Sequence, residues 1–460
     1  MKGMKGILLL AFLLRMATAL SFAAATGPQS LRSPDTASYV DSAASLLGTG
    51  RFERHGNPEV VRTPGYPLFL LPGMALGWGE AAAIPLQAAL GTATAWIVFL
   101  LGRTLSGSSR AGTWGALFFA LEPLSILYSS KLLTETLFTF FAALFFLLFA
   151  RFLAEGRLSD CTAALLSLTA SAFVRPISCF LPAVLAAFIP GAALFGKISW
   201  RRSGAALALL AVLCLLPLFL WTERNRRLAG YDGFSGISAV NMYFYNAAAV
   251  RAKILGAPYL AVQRNMGYLN PGAYFREHPE QREWRRGEVL NFQKREGTRI
   301  LLEHPGTYLK IHLTGMVRVL FGPCAEEFFS GWGIIRKDEL LRRGDAGSGL
   351  FARTLLLGRE HPLFLLLNVL LGLLLAVQYA LGATGLLSAA RKRGNSAPLA
   401  FLLAAFAYFI LLSGGPAGYS RFRLPAAPLT AAFSGMGAAL LAPRLREAWK
   451  NGGNGDGTRA

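Results

Sequence analysis

Charged residues are scarce in this 460-residue sequence: Asp, Glu, Lys and Arg together make up only 15% of it. Soluble globular domains usually carry about 25% of such residues. Hydrophobic residues make up 53% of the chain and the mean hydropathy is +0.43, because long apolar runs recur along almost its whole length. The composition excludes an ordinary soluble protein and predicts an all-α polytopic membrane protein.

Acidic residues are the rarer charge, with 25 Asp and Glu against 46 Lys and Arg and a formal net charge of +21. The basic residues fall mostly in short clusters between apolar runs and in one long polar loop. This distribution is typical of membrane topology and of contact with lipid phosphates rather than of a nucleic-acid groove. Membrane lipids are therefore expected partners, and nucleic acid is not.

Motifs for metal and nucleotide chemistry are also missing. The cysteines, Cys161, Cys179, Cys214 and Cys324, show no C-x-x-C spacing and no disulfide framework. The five histidines form no H-x-H or H-E-x-x-H pair, and there is no P-loop, no G-x-S-x-G and no G-x-G-x-x-G at a strand–helix junction. These absences speak against an ATP-driven pump and a soluble-type nucleotide-sugar enzyme.

The apolar runs divide the chain into six regions. The first run follows Lys2 and Lys5 and contains Arg15, and we interpret it as an uncleaved membrane helix. The predicted regions are 1–26, the first transmembrane helix; 27–81, an external loop with a candidate catalytic helix; 82–221, transmembrane helices two to seven; 222–361, an external α-rich loop domain; 362–442, transmembrane helices eight to ten; and 443–460, a Gly-rich cytoplasmic tail expected to be unstructured. This gives about ten spans with both termini in the cytoplasm.

The short basic clusters assigned to the inner side all obey the positive-inside rule. The same alternation places the long polar loop on the outer face of the plasma (inner) membrane, together with Asp35, Glu135, Arg175, Arg421 and Arg423. This convergence carries more weight than any single motif. No internal repeat is visible, so an inverted-repeat transporter gains no support.

The stretch just after the first span predicts the start of a short helix. Ser33 is the expected N-cap and Asp35 lies in the first turn, on one face with Ser38, Tyr39 and Ser42. Burial beside the bilayer is expected to raise the pKa of Asp35 from about 3.9, which suits a general base. The alternative is a structural acid that complements the helix dipole.

Other candidate residues lie at the outer ends of later spans. Lys131 and Glu135 belong to a tight turn between two spans, and Arg175 lies in an outer turn. Arg421 and Arg423 alternate at an outer membrane edge, where guanidinium groups suit a phosphate. The structural alternatives are a helix-start acid for Glu135 and anchoring to lipid headgroups for the arginines.

One carboxylate, Glu122, lies inside an apolar run and is followed by Pro123. An ionisable residue at that depth is a functional candidate by default. The preferred interpretation is nevertheless structural: Glu122 pairs with another helix or satisfies the backbone gap that Pro123 leaves.

Six local motifs, in this order along the chain, resemble the GT-C superfamily of polytopic glycosyltransferases, in the branch that contains bacterial aminoarabinose transferases and protein O-mannosyltransferases. They are Pro34-Asp35-x-x-x-Tyr39, Arg62-Thr-Pro-Gly-Tyr66-Pro-Leu, Tyr128-Ser…Leu-Leu-Thr-Glu135, Arg175-Pro176, Trp221-Thr-Glu-Arg224-Asn225 and Arg421-Phe-Arg423-Leu-Pro425. Each motif is weak alone, and together they cover most of the chain up to the tail.

The resemblance implies a sugar donor carried on a polyprenyl phosphate and used on the external face. It implies that Asp35 is the catalytic base, that Glu135 takes the family's second acidic position, and that basic residues bind the donor phosphate: Arg421, Arg423, Lys131 and Arg175. Tyr39, Tyr66, Arg224 and Asn225 are further candidates for donor or acceptor contact. Some relatives use a divalent cation, and the sequence leaves that point open.

The acceptor is left open between a lipid, a glycan and a protein hydroxyl. The Asn241-Met-Tyr-Phe-Tyr-Asn246 stretch lacks the glycines of the corresponding region in bacterial members. Two rival functions also remain. One is a lipid-linked glycan flippase or transporter, which would use polar residues at mid-depth. The other is an O-antigen ligase or polymerase, for which His278 or His304 would be the essential loop histidine.

Overall fold

The computed structural model describes residues 2–335, 354, 357–391 and 396–453. Residues 336–353 and 355–356 of the predicted external loop, and residues 454–460 of the predicted tail, lie outside these ranges. Across the described ranges, the one pair of strands is an antiparallel hairpin in which Glu53 pairs with Pro58 and Arg54 with Asn57. All other regular structure there is helical. The predicted all-α class is confirmed.

Seven helical segments in the described ranges are long and apolar enough to cross a membrane, judged by length and composition. They are Gly3–Thr26, Glu80–Ser106, Glu135–Glu155, Pro176–Leu194, Trp200–Ala229, Pro362–Ala390 and Ser420–Ala442. The other three predicted spans fall on two shorter apolar helices, Leu158–Val174 and Ser396–Leu412, and on the consecutive helices Ser109–Ala120 and Pro123–Ser129. The chain is therefore a polytopic membrane protein.

The break between Ser109–Ala120 and Pro123–Ser129 lies at Glu122. Its carboxylate accepts a hydrogen bond of 2.5 Å from the Ser125 backbone N–H, so Glu122 caps the second helix instead of lying within a continuous span. Pro123 occupies the first helical position, where its missing N–H costs no hydrogen bond. Glu122 thus satisfies the helix start that Pro123 creates, which is the structural role preferred from the sequence.

Short helices and turns connect the spans on the side that carries Asp35. They comprise Pro28–Leu31, Thr36–Thr49, Gly65–Ala75, Glu80–Ala82, Pro176–Phe180 and Ser420–Ala426. Gly65–Ala75 is an 11-residue helix, about 16 Å long at 1.5 Å per residue. It is too short to span a bilayer.

The region predicted as an external domain is a bundle of short helices that follows Leu216–Ala229. Its elements are Ile237–Val240, the π-helical Asn241–Ala247, Ala248–Leu255, Tyr259–Asn265, Pro271–Glu277, Pro279–Glu283, Arg286–Glu303, Pro305–Phe321 and Ala325–Gly331. Tyr243, Phe244 and Tyr274 form the centre of a separate apolar core with Ile300 and Leu301. This region therefore has an apolar core of its own, separate from the core of the long apolar helices.

The last described helix, Ala427–Gly453, continues beyond the end of the predicted tenth span. The expectation of an unstructured tail from residue 443 is wrong as far as Gly453. This helix packs backbone to backbone against Pro362–Ala390: a Cβ atom added at Gly385 would lie 2.0 Å from the carbonyl oxygen of Phe433. Such close approach through small residues is typical of helix pairs in membranes.

Gly385→Ala is expected to lower the stability of the protein, by about 1–3 kcal/mol from overpacking, because the two helices must separate to admit the methyl group. Gly372→Ala is the matched control, since it lies on the same helix and a Cβ there would meet no atom within 4 Å. Thermal unfolding in detergent measures the effect. Equal melting temperatures for the two variants would contradict the close packing at Gly385.

Candidate active site

Asp35 lies at the N-cap of helix Thr36–Thr49 and makes no capping hydrogen bond with its side chain. The predicted N-cap, Ser33, instead precedes a turn in which its backbone N–H donates to Thr36 Oγ1 at 2.9 Å. The helix therefore begins two residues later than predicted, and Asp35 precedes its first turn instead of lying in it. The consequence is that the carboxylate of Asp35 is left available for partners from other segments.

The polar face of this helix points into the protein. Ser38, Tyr39 and Ser42 are buried, whereas Leu47 on the opposite face is 49% exposed. The Tyr39 ring packs edge to face on Tyr66, with centroids 5.2 Å apart. Asp35, at the start of the polar face, is thereby turned toward the interior of the protein, with its side chain 36% exposed.

Arg62 is the first partner of Asp35. Its Nη2 lies 2.6 Å from Asp35 Oδ1, and its Nη1 donates to the Tyr39 hydroxyl at 3.3 Å. The backbone around Arg62 is held by Glu59, whose Oε1 accepts from the N–H groups of Val61 at 2.6 Å and Arg62 at 3.0 Å. Local hydrogen bonds therefore fix the backbone of Arg62 independently of its contact with the Asp35 carboxylate.

Arg421 connects Asp35 to a second carboxylate. Its Nη2 lies 3.6 Å from Asp35 Oδ2, and its Nε lies 3.2 Å from Glu135 Oε1. Arg175 Nη1 approaches the same oxygen of Glu135 at 2.8 Å. Glu135, at the start of helix Glu135–Glu155, is 1% exposed. Its charge is therefore balanced by guanidinium groups and not by water.

Arg62, Asp35, Arg421, Glu135 and Arg175 thus form one alternating row of charges, which we call the arginine–carboxylate ladder. Three guanidinium groups and two carboxylates leave it with one net positive charge. Glu135 Oε1 and Arg421 Nε make no aligned hydrogen bond although they are buried. The ladder therefore carries a net positive charge, which suits an anionic ligand.

The ladder sets the acidity of Asp35. Burial alone would raise the pKa of this carboxyl, but the neighbouring guanidinium groups of Arg62 and Arg421 outweigh burial and hold the pKa below its usual value. The prediction of a raised pKa for Asp35 is therefore wrong. It counted the loss of water around the carboxylate but not the arginines that replace the water.

Two predicted tyrosines lie beside the ladder. The Tyr39 hydroxyl contacts Arg62, as described above, and the Arg62 guanidinium lies over the Tyr39 ring, 5.0 Å from its centroid. Tyr66 is fully buried, and its hydroxyl donates to Gln87 Oε1 at 2.8 Å. Gln87 Nε2 in turn donates to the carbonyls of Ser129 and Lys131. Tyr66 therefore supports the turn before Glu135 through Gln87.

The remaining predicted basic residues are used to hold backbone segments. Arg423 Nη1 donates to the carbonyls of Val319 at 2.8 Å, Leu320 at 3.0 Å and Gly322 at 3.2 Å. Lys131 donates to the Ser30 carbonyl and lies over the Phe22 ring at 4.6 Å. These contacts tie the two turns that carry Arg421 and Glu135 to neighbouring helices.

Arg224 and Asn225 also bind backbone carbonyls. Arg224 donates to Glu59 at 2.7 Å and to Phe52 at 2.9 Å. The buried Asn225 side chain donates to Gly233 and Phe234 at 3.0 Å. Both side chains were expected to contact donor or acceptor and are instead engaged with the backbone. Arg224 joins the loop that carries Arg62 to helix Leu216–Ala229, and Asn225 holds the segment that follows this helix.

Sequence reasoning did not single out Arg62, Glu59 or Gln87 as site residues. Arg62 opens the Arg-Thr-Pro-Gly motif, and its position in the same outer loop as Asp35 was the available signal. Nothing in the local sequence indicates that Glu59 fixes the Arg62 backbone or that Gln87, within an apolar run, bonds Tyr66.

A divalent cation does not fit between the two carboxylates as they are arranged. Such a cation prefers several oxygen ligands, whereas the Arg421 guanidinium already lies between Asp35 and Glu135. Among the residues that the structure describes, no group of three or more His, Cys, Asp or Glu side chains is placed to hold a metal ion.

The two loop histidines lie in the external domain. His278 Nε2 lies 3.3 Å from the Tyr243 hydroxyl, and its ring packs against Phe292 at 5.0 Å. His304 is exposed at a helix end. Across the described ranges, no hydrogen bond, ion pair or ring contact joins either histidine to the ladder.

Comparison with solved structures identifies the fold. The apo oligosaccharyltransferase of Archaeoglobus fulgidus matches with a TM-score of 0.53 and 14% identity, over 99% of this chain and 52% of that one. The A. fulgidus oligosaccharyltransferase AglB with an inhibitory peptide and a dolichol-phosphate gives 0.49 and 14%, over 98% and 52%. ArnT from Cupriavidus metallidurans in the apo state gives 0.35 and 12%, over 95% and 80%. No protein-family model and no curated protein sequence matches.

The match to the apo oligosaccharyltransferase shows that this chain shares the fold of that archaeal protein. The chain spans about half the length of the archaeal protein. At 14% identity the likeness concerns the fold alone.

Arg62→Gln is expected to change how stability depends on pH. Because the pKa of Asp35 is held low in the folded state, its ionised form stabilises the fold above the unfolded pKa of about 3.9, and this contribution is lost as pH falls through the folded pKa. The Arg62→Gln variant lacks much of this contribution to stability. Its melting temperature should therefore lie furthest below that of the wild type near pH 7 and approach it between about pH 4 and pH 3.

Arg54→Gln is the control for this measurement, since Arg54 pairs at 3.3 Å with Asp41 on the same helix and outside the ladder. Thermal unfolding of all three proteins across the pH range gives the comparison. A deficit of Arg62→Gln that stays constant from pH 7 to about pH 3 would contradict the assigned effect of Arg62 on Asp35.

Proposed function

We propose that this protein is a membrane glycosyltransferase that transfers a sugar from a polyprenyl-phosphate donor to an acceptor hydroxyl at the outer face of the membrane. The observation that carries the proposal is the ladder, in which the Arg421 guanidinium lies between Asp35 and Glu135. It combines a carboxylate with a net positive charge at the outer ends of membrane helices. These are the groups needed to accept a proton and to bind a phosphate.

Asp35 is the proposed general base. It accepts the proton of the acceptor hydroxyl while that oxygen forms a bond to the anomeric carbon of the sugar. The bond from the anomeric carbon to the phosphate oxygen breaks, and its electron pair leaves with the polyprenyl phosphate. Because the displacement occurs in one step, the anomeric configuration inverts. The donor is already activated by its phosphate, so the reaction needs no nucleotide.

The arginines are the proposed phosphate site. Arg421 has an unaligned Nε–H and Arg175 lies across Glu135 from it, so a phosphate oxygen near Glu135 can be met by two guanidinium groups. Guanidinium binds phosphate through paired N–H donors. The charge that gathers on the leaving phosphate is thereby stabilised where it develops.

Donor binding also changes the base. In the ligand-free ladder, Arg62 and Arg421 lower the pKa of Asp35, which weakens it as a proton acceptor. A phosphate that draws Arg421 toward itself removes part of this effect and adds a negative charge nearby. Both changes raise the proton affinity of Asp35. The base is therefore strongest when the donor is present.

The remaining candidate residues have supporting roles in this proposal. Arg423 and Lys131 hold the turns that carry Arg421 and Glu135. Arg224 holds the loop that carries Arg62, and Asn225 holds the segment after helix Leu216–Ala229. Tyr39 and Tyr66 form the wall behind Asp35. The proposed orientation is that predicted from the basic clusters: both termini cytoplasmic and the ladder external. Hexosyl and pentosyl donors, and lipid, glycan and protein acceptors, all satisfy this chemistry.

Asp35→Asn is expected to reduce transfer by about 10²–10⁴-fold, because asparagine keeps the shape of the side chain but cannot accept the proton. The measurement is transfer of radiolabelled sugar from purified polyprenyl-phosphate donors, with the protein in liposomes and acceptors screened by class. Asp41→Asn is the matched control, because Asp41 lies on the same helix with a side chain 39% exposed, against 36% for Asp35. It should retain wild-type transfer.

Full transfer by a folded Asp35→Asn protein would remove Asp35 from the reaction. Loss of transfer in a His278 or His304 variant, with Asp35→Asn active, would favour the ligase or polymerase. Movement of the lipid-linked sugar across the liposome bilayer without transfer to any acceptor would favour the flippase.

A further inference from the structure

Arg421 occupies an unusual position for an arginine, with its guanidinium between carboxylates from two distant segments. Asp35 Oδ2 is 3.6 Å from Nη2, and Glu135 Oε1 is 3.2 Å from Nε. Two carboxylates that converge on one cation are the usual framework of a divalent-cation site. Here the cation is part of the polypeptide.

We infer that Arg421 takes the place of a divalent cation in this protein, so that the wild-type site binds no metal ion, and that removal of the guanidinium converts Asp35 and Glu135 into a divalent-cation site. The extension to a metal-independent sugar transfer rests on the proposed function. The inference about binding does not depend on it.

The guanidinium is held in place by its surroundings. The Ser420–Ala426 turn is anchored two residues further on by the three carbonyl bonds of Arg423, and the Arg421 guanidinium lies 5.1 Å from the centre of the Phe422 ring. The loop before the turn is packed tightly: a Cβ at Gly418 would lie 2.7 Å from the Gly315 carbonyl oxygen. The backbone of the turn that carries Arg421 is therefore held in place, with the guanidinium directed at both carboxylates.

The charges of the ladder also disfavour a metal ion in the wild-type site. Arg62 already pairs with Asp35 at 2.6 Å, and Arg175 with Glu135 at 2.8 Å. A divalent cation added beside three guanidinium groups would meet a net positive charge at a few ångströms. Without Arg421, the four remaining charges sum to zero and the facing carboxylate oxygens lose their shared cation.

The test is a titration of the full-length protein, in nanodiscs of neutral lipid, with Mn²⁺. Electron paramagnetic resonance measures the concentration of free Mn²⁺ at each step. Wild type is expected to show no site that depends on the ladder carboxylates. Arg421→Ala should bind one Mn²⁺ at least roughly tenfold more tightly than wild type. The double variant Arg421→Ala/Glu135→Gln should lose this gain, because one bridging carboxylate is removed.

Arg421→Lys keeps a positive charge in the same place and should not gain the site. Arg54→Ala is the control for removal of an arginine that pairs with only one carboxylate, Asp41, and it should not gain the site either. If Arg421→Ala does not fold, Arg421→Met tests the same point with a side chain of greater length.

Mn²⁺ binding by the wild type that Asp35→Asn abolishes would overturn the inference. Folded Arg421→Ala and Arg421→Met proteins that both fail to bind Mn²⁺ would overturn it as well. Where transfer is measurable, the wild type should keep its rate in excess EDTA, and a loss of rate restored by Mn²⁺ would contradict the inference. The binding result stands even if no transfer is found, so failure of the proposed function remains distinguishable.

Discussion

The sharing of two carboxylates among three arginines is the constraint on which the packing of the helix ends around Asp35 depends. Asp35 and Arg62 lie in one connecting segment of the chain, and Glu135, Arg175 and Arg421 come from three others. A charged group withdrawn from water is costly unless it is paired, and loss of one partner leaves the others uncompensated. Each segment is therefore positioned by the charges of the others, and the ladder is complete only when all five residues are in place.

A second set of basic residues holds in place the segments that carry the ladder residues. Arg224, Arg423 and Lys131 donate to backbone carbonyls of Glu59, Val319 and Ser30, respectively. Each bond fixes a loop that presents a ladder residue. The basic residues in and around the ladder thus divide into those that face carboxylates and those that face the backbone. Arg421 and Arg423, two residues apart in one turn, fall on opposite sides of this division because the turn points their side chains in different directions.

The membrane segments and four of the five ladder residues could be predicted from the sequence, because apolar runs and basic clusters fix which helix ends share a face. The interaction partner of each ladder residue could not be predicted. Arg62 was overlooked because helical periodicity describes the face around Asp35 but not the loop that folds back onto it. The direction of the Asp35 pKa shift was wrong for the same reason, since it depends on Arg62 and Arg421, which tertiary packing brings together. The roles of Arg423, Arg224 and Asn225 could not be predicted either, because the backbone carbonyls that they bind have no signature in the sequence.

The charge of the ladder also matches the proposed reaction at both of its ends. Three guanidinium groups and two carboxylates carry one net positive charge, and a sugar linked to polyprenyl phosphate is a diester with one negative charge. When the acceptor proton moves to Asp35, the ladder gains one positive charge. In the same step, the phosphate leaves as a monoester and gains one negative charge. The attraction between ladder and phosphate therefore increases as the bond to the sugar breaks, which is the condition for stabilising the transition state more than the bound donor.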